Sequence, residues 1–243
     1  MNGGLPDWTP AQVPGLPAEG LRERKKRLMR QQLSDTATAM FLESGFDGVR
    51  VTEIAAACGV SEKTVFNYYP VKEALVMDRL EATLAALRAG LSDPRLTPVE
   101  AALRVLDQEL RGMTGWLAAQ EDPAQVREAV RRFGDLIRAT PALRAYQADM
   151  TDQAASAAAG VLAARAGMTA DDPEPQIAAR ALLGLWRVQA DSLRRHLDRA
   201  ATPALLHEQV TADVRRAARL IDTGLRTYAA PPVSPTALAG STA

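Results

Sequence analysis

The sequence predicts an all-α fold of about nine helices, in which a small three-helix N-terminal head precedes a larger C-terminal helical bundle. Two observations favour this class. Alanine and leucine dominate a hydrophobic share of 47%, while aromatic residues make up only 5%, and this composition suits closely packed helices. Apolar residues also recur at three- and four-residue spacing along segments that proline or glycine separates, which is the period of an amphipathic helix.

The ends of the chain have biased compositions. Residues 1–20 and 229–243 are rich in proline, glycine and small residues, and we expect both to be disordered tails. Between Arg22 and Arg30, six basic residues accompany a single acid, Glu23. Such a run can lie along DNA phosphates, or it can be the solvated start of a helix. The sequence leaves both interpretations open.

Residues 52–73 have the pattern of two short helices joined by a tight turn. We expect Thr52 to cap the first helix, Gly59 to end it in the left-handed conformation, and Ser61 to cap the second. Pro70 then closes the second helix. This is the layout of a helix-turn-helix DNA reader.

The surrounding residues carry a more specific pattern. A helix that ends in Gly45–Phe46 leads to T-x-I-A at Thr52, G-V-S at Gly59, and an aromatic cluster that closes on P-x-K-E at Pro70. Over residues 28–75 this pattern resembles the N-terminal part of TetR-family transcriptional regulators.

The resemblance implies a DNA-binding head at residues 21–72 and a ligand-binding and dimerisation domain at residues 73–228. It also implies a homodimer, paired through the last two long helices, that binds a palindromic double-stranded DNA operator. Because no N-terminal apolar run follows a basic region and no apolar run could cross a bilayer, we expect the protein to be cytoplasmic. A small-molecule effector would release such a repressor from its operator, and no cofactor is implied. A DNA-binding activator or architectural protein that senses no ligand is the alternative.

Polar side chains on the second helix of the motif are placed to reach DNA. Lys63, Thr64 and Asn67 suit base edges or nearby phosphates, and Tyr68 suits either. Phe66 belongs to the core or packs on a thymine methyl group, and the sequence does not decide between them. The expected phosphate contacts are Arg50, Thr52 and Lys72, the last of these on the first turn of a third helix.

Proline and glycine divide the rest of the chain into helical segments. The expected spans are 71–89, 99–119, 121–140, 141–166, 175–197 and 203–228. The last two carry regular apolar stripes, beginning at Ile177 and Leu206. These stripes can build a bundle with a second copy, or they can fill an intramolecular core.

A few large side chains stand out in the alanine-rich C-terminal part and are candidates for an effector pocket. They are Met113, Trp116, Phe133, Ile137, Tyr146, Met150 and Trp186. Filling the core is the alternative role for each of them. Residues 131–150 and 171–187 resemble actinobacterial TetR regulators grouped as acyl-CoA-like ligand binders, which implies an apolar or acyl-type effector. Its anionic end would meet an arginine, with Arg131, Arg132, Arg138 and Arg144 as candidates, although each of these also fits an exposed helix position.

Other classes of function find little support in the sequence. The motifs G-x-S-x-G, H-E-x-x-H and the P-loop are absent, so we expect no enzyme. Cys58 is the only cysteine and is expected to pack as a small buried hydrophobe. His196 and His207 lack metal-ligand spacing, and no apolar run approaches the roughly 20 residues that a membrane span needs.

Overall fold

The computed structural model describes residues 20–224, apart from the side chains of residues 79–81 and 123. Within that range the chain is all helical, which confirms the predicted fold class. The helices are α1 (Leu21–Ser44), α2 (Val51–Ala57), α3 (Glu62–Tyr68), a 3-10 turn (Lys72–Leu75), α4 (Asp78–Ser92), α5 (Pro98–Ala118), α6 (Pro123–Ala139), α7 (Pro141–Ala166), α8 (Pro173–His196) and α9 (Pro203–Thr223). No described helix is both long enough and apolar enough to cross a membrane.

Local sequence signals place most of these boundaries. Each helix from α5 to α9 begins with proline at its first position, where the missing N–H removes no helical hydrogen bond. The side chains of Thr97, Asp122 and Thr202 accept hydrogen bonds from backbone N–H groups of the first turns of α5, α6 and α9. Gly167 ends α7 at φ 68°, a conformation that glycine adopts without strain. These signals explain why the predicted spans lie close to the observed ones.

The predicted helix at residues 71–89 is wrong at its start. Lys72–Leu75 forms a single 3-10 turn, and α4 begins only at Asp78. Leu75, Val76 and Met77 are all buried, so the chain turns inward here to fill the core before it continues as a helix. The expected tails lie outside the described residues apart from Gly20, as does the predicted end of the last helix.

Two apolar clusters organise the molecule. The first, which we call the head core, lies among α1, α2, α3 and residues 74–77, and includes Leu33, Phe41, Ile54, Val65 and Tyr69. The second, the body core, joins α4, α5, α7, α8 and α9, and includes Leu91, Leu106, Leu110, Leu182 and Val210. We use head for residues 21–77 and body for α4–α9.

Helices α6 and α7 carry the contacts from body to head. Leu143, in the first turn of α7, is completely buried within the head core. The Arg132 guanidinium on α6 donates a hydrogen bond to the Leu42 carbonyl near the end of α1. At the other side of the head, Arg30 pairs with Asp78, the first residue of α4, at 2.5 Å. The position of the head is therefore fixed by several elements of the body.

Candidate functional site

The first helix of the motif begins at a different residue from the one expected. Arg50, not Thr52, is the N-cap of α2. The Arg50 backbone N–H donates to Glu53 Oε2 at 2.7 Å, and this hydrogen bond is the main cause that lowers the pKa of the Glu53 carboxyl. Thr52 lies two residues further on, in the first turn of α2, and is exposed. The Arg50 side chain is 81% exposed, although it pairs with Glu53 at 3.4 Å.

The turn between α2 and α3 has the geometry that the sequence predicts. Gly59 has φ 69°, and the Val60 N–H donates back to the Ala55 carbonyl at 3.0 Å. Ser61 caps α3 by accepting from the Thr64 N–H at 3.1 Å. Cys58 is only partly buried, so the expectation that it is a buried hydrophobe is wrong in degree.

Helix α3 has a buried face and an exposed face. Val65 and Tyr69 are each 1% exposed and belong to the head core. Lys63, Phe66 and Asn67 lie on the exposed face. The 42% exposure of Phe66 excludes the core interpretation, and packing of this ring on a thymine methyl group stays a prediction.

Thr64 and Tyr68, the other two predicted DNA-reading residues on α3, are partly buried. The Thr64 hydroxyl lies 2.8 Å from the Ser61 hydroxyl. Tyr68 packs against the head core. Their side chains are therefore less available at the surface than those of Lys63 and Asn67.

Lys72 is half-buried and makes internal contacts that the sequence did not suggest. Its ammonium donates to the Phe46 carbonyl at 2.6 Å and lies 4.3 Å from the centroid of the Phe46 ring and 5.4 Å from that of Phe41. The expected first turn of a long helix is absent at this point, because Lys72 starts the short 3-10 turn. Lys72 thus ties the segment after α3 to the turn between α1 and α2.

Tyr69 holds α3 against α1, a role that sequence reasoning missed. Its hydroxyl donates to the Arg30 carbonyl at 2.9 Å, and the Arg30 guanidinium lies 4.7 Å from the ring centroid. Burial raises the pKa of the Tyr69 hydroxyl. Arg30, the last residue of the basic run, is therefore engaged inside the protein, whereas Arg22, Arg24, Lys25 and Lys26 are exposed on the first turns of α1.

The seven side chains predicted to line an effector pocket lie in two separate groups. Met113, Trp116 and Trp186 belong to the body core or pack against it. Phe133, Ile137, Tyr146 and Met150 pack against the head core instead. The structure does not bring all seven into one site.

Glu109 lies among the first of these groups, although no pattern in the sequence singled it out. Glu109 Oε2 accepts a hydrogen bond from Trp186 Nε1 at 3.0 Å, and Oε1 accepts one from the Thr83 hydroxyl. Burial is the main cause that raises the pKa of the Glu109 carboxyl. These contacts join α4, α5 and α8 through one carboxylate.

Three of the four arginines that were candidates for an anionic ligand end have other contacts, and the fourth, Arg144, is exposed on α7. Arg132 donates to the Leu42 carbonyl. Arg131 pairs with Glu128 and lies 3.5 Å from Asp198, and Arg138 pairs with Asp135. A surface cavity of about 260 Å³ lies between α5, α8 and α9. None of the seven predicted side chains borders it; its lining residues are Leu96, Glu100, Leu103, Arg104, Leu106, Asp107, Gln189, Thr211, Val214 and Arg215.

Comparisons with known proteins agree with the geometry of the head. The family model of bacterial regulatory proteins of the tetR family matches residues 33–78, and the model of the MftR C-terminal domain matches residues 110–214. The HTH-type transcriptional regulator TcmR of Streptomyces glaucescens is 32% identical over 218 residues, which cover 81% of this chain and 91% of TcmR.

Two further proteins are similar. MftR of Mycobacterium tuberculosis, assigned to the regulation of mycofactocin biosynthesis, is 29% identical over 170 residues, covering 70% of this chain and 82% of MftR. A crystal structure of a TetR-family regulator from Mesorhizobium loti has 19% identity and a TM-score of 0.42, covering 81% of this chain and 98% of that one. The curated relatives are transcriptional regulators and not enzymes. The chain belongs to the TetR family of DNA-binding transcriptional regulators.

Proposed function

We propose that this regulator is a repressor that binds a palindromic operator as a homodimer and is released by a small apolar or acyl-type effector. The observation that carries the proposal is the two-sided character of α3. Its inner face is fixed in the head core by Val65 and Tyr69, while Lys63, Phe66 and Asn67 project outwards together. A rigid helix with polar side chains on one exposed face suits the major groove.

The exposed residues of α3 differ in the contacts that they can make. Asn67 can form paired hydrogen bonds with adenine, and Lys63 can donate to guanine. Phe66, exposed between them, can pack on a thymine methyl group. Arg50 and Thr52, at the start of α2, are proposed to contact phosphates, which position the head without reading sequence.

Dimerisation is proposed to use the outer face of α8. Ile177, Ala181, Gly184 and Val188 follow one another at spacings of four, three and four residues, and Ile177 is 67% exposed. Gly184 has open space around it, so another helix can approach closely. Because the seven residues of α3 reach only a few base pairs, specific binding requires two heads on two half-sites. A second copy that covers this stripe would supply the second head.

The proposal can be tested by selecting bound duplexes from a random DNA pool at near-physiological salt. We expect enrichment of an inverted repeat whose half-sites lie about one helical turn apart. An enriched half-site without its inverted partner would contradict dimeric binding. Absence of any enrichment would contradict specific binding by this protein.

Two matched substitutions test the proposed dimer surface. Ile177→Lys places a charge within the proposed interface, so we expect monomers by sedimentation equilibrium and weaker binding to the inverted repeat. Met168→Lys places the same charge at a residue that is 36% exposed in the loop before α8, and it should leave the dimer intact. Equal behaviour of the two variants would exclude this stripe as the interface.

A further inference from the structure

The first two turns of α1 extend beyond the head core and carry exposed cations. Met29 is the first described residue of α1 that packs against the head core, so residues 21–28 project past it. Four cations are exposed on these turns: Arg22, Arg24, Lys25 and Lys26. A basic run of this kind is often only a solvated helix start, so its direction and the charges around it decide between that role and DNA binding.

Two of these cations lie on the side of α1 that packs into the head core. Met29, Leu33 and Phe41 lie on this side and belong to the head core or pack against it. Lys26 precedes Leu33 by seven residues, which is almost two helical turns. Arg22 precedes Met29 by the same number. Both cations therefore continue this side of the helix, which we call the inner face of α1 and which is turned towards α2 and α3.

Arg30 places these turns beside the C-terminal end of α3. The Tyr69 hydroxyl donates to the Arg30 carbonyl at 2.9 Å, and Arg30 Nη1 donates to the carbonyl of Tyr68, the last residue of α3, at 3.4 Å. Lys26 and Arg22 precede Arg30 by four and eight residues, or about 6 and 12 Å along the helix axis. The phosphates on either side of a major groove about 12 Å wide lie at comparable distances from a helix in that groove.

The rest of the head is acidic. Residues 31–77 contain three basic residues against six acids, a net charge of −3. Of the three basic residues, Lys72 donates to the Phe46 carbonyl, Arg50 pairs with Glu53, and Lys63 is exposed on α3. DNA would therefore meet a net negative surface potential on this part of the head. The cations that compensate it within the head lie on the first turns of α1.

We propose that Arg22 and Lys26, on the inner face of α1, bind the DNA phosphates that flank α3 at its C-terminal end. This inference rests on the proposed function, because it requires α3 to lie in the major groove. The pair supplies salt-dependent affinity that the acidic remainder of the head lacks. Phosphates carry no sequence information, so the two residues strengthen binding without setting base preference. Arg24 and Lys25 add to the local positive potential.

The salt dependence of DNA binding tests this proposal. The double variant Arg22→Gln with Lys26→Gln removes both charges from the full-length protein, and fluorescence anisotropy gives its affinity for the duplex enriched from the random pool. We expect the slope of log K against log salt to be shallower by about 0.9 for each lost contact, or about 1.8 per head. A fourfold rise in salt then costs the unsubstituted protein about tenfold more affinity per head than it costs the variant. An unchanged slope would overturn the proposal.

A matched variant separates a local contact from a change in net charge. Arg88→Gln with Arg104→Gln removes the same charge from exposed positions on α4 and α5. Arg88 lies ten residues after the first residue of α4, about 15 Å along the helix from the head. This variant should keep the slope of the unsubstituted protein, and an equal decrease in both double variants would overturn the proposal.

Neutral methylphosphonates test the same contacts without relying on the stability of any variant. Each phosphate beside the C-terminal end of α3 is replaced singly in the enriched duplex. We expect replacement at the contacted phosphates to weaken binding by the unsubstituted protein and to have little further effect on the variant that lacks Arg22 and Lys26. If no such replacement weakens binding by the unsubstituted protein, α1 does not contact these phosphates.

The same samples separate this inference from the proposed function. An enriched inverted repeat with an unchanged slope in the variant would overturn this inference alone. If no duplex is enriched, the proposed specific binding is contradicted, and a random-sequence duplex still measures the slope because the phosphate contribution does not depend on sequence. The variant that lacks Arg22 and Lys26 should select the same consensus as the unsubstituted protein. A changed consensus would contradict a pure phosphate contact.

Discussion

Lys72 provides the sharpest test of how the head is held together. Its ammonium lies 2.6 Å from the Phe46 carbonyl and 4.3 Å from the Phe46 ring, while sequence reasoning assigned it to a DNA phosphate. Lys72→Met keeps most of the aliphatic stem and removes the ammonium. The two roles predict different results for this one variant.

The internal contacts set the size of the expected effect on stability. A hydrogen bond from a charged donor contributes about 1.5–3 kcal/mol, and a cation–π contact at a partly exposed site about 0.5–1 kcal/mol. Lys72 is only half-buried, so solvent screening reduces both. We expect a loss of about 1.5–2 kcal/mol of unfolding free energy, or about 3–8 °C in melting temperature for a chain of this length.

Thermal denaturation and the salt dependence of operator binding separate the two roles. If the ammonium also contacts a phosphate, the slope of log K against log salt becomes shallower by about 0.9. Lys63→Met, at an exposed position on α3, is the control and should leave the melting temperature unchanged. An unchanged melting temperature for Lys72→Met would refute the internal role, and an unchanged slope would remove Lys72 from the phosphate contacts.

Three further outcomes follow from the structure. Asn67→Ala should relax base preference at one operator position, and selection from random duplexes would refute this if the consensus stayed intact. Gly59→Ala should lower stability by about 1–2 kcal/mol in chemical denaturation, because Gly59 has φ 69° and a Cβ strains the backbone in that conformation. The added methyl group would touch no neighbour, so the expected cost is this backbone strain alone. Substitution of two acids, Glu109 and Asp213, should change the melting temperature in opposite directions at pH 7, and melting curves between pH 4 and 8 test this. Burial raises the pKa of Glu109, so the folded state holds its proton more tightly, and Glu109→Gln should melt above the unsubstituted protein at pH 7. Hydrogen bonding, above all from Ser192, lowers the pKa of Asp213, so Asp213→Asn should melt below it at pH 7. The Glu109 difference should shrink as the pH falls towards 4, whereas the Asp213 difference should persist at pH 4, because its stabilising contribution is lost only below 3.8, the ordinary pKa of an aspartate.

The form of α3 could be predicted because its determinants are local. Gly59 permits the left-handed end of α2, and Ser61 caps α3. The alternation of apolar and polar residues along α3 then assigns Val65 to the core and Lys63 to the surface. The sequence could not assign Phe66, because an aromatic ring at the edge of a buried face fits either side.

The start of α4 depended on contacts that are distant in sequence. Residues 71–77 have helical spacing, yet Leu75 and Met77 are drawn into the head core, and tertiary packing there overrides local propensity.

The pocket prediction depended on the same kind of information. Large apolar residues have the same sequence pattern whether they line a cavity or join two units. The sequence therefore could not separate Phe133 and Ile137, at the head core, from Met113 and Trp186, in the body. Glu109 was missed because a single acid in a helix usually lies on its solvated face.

Leu143 has a consequence for how the protein unfolds. It is part of α7, yet its side chain fills the head core and is completely buried there. Withdrawing the first turn of α7 would leave a cavity in the head, and truncation of a buried leucine costs about 2–5 kcal/mol. The head and the body are therefore thermodynamically linked, and the two should melt in one cooperative transition. A ligand that stabilises the body should also protect the amides of α1 and α3 from hydrogen exchange.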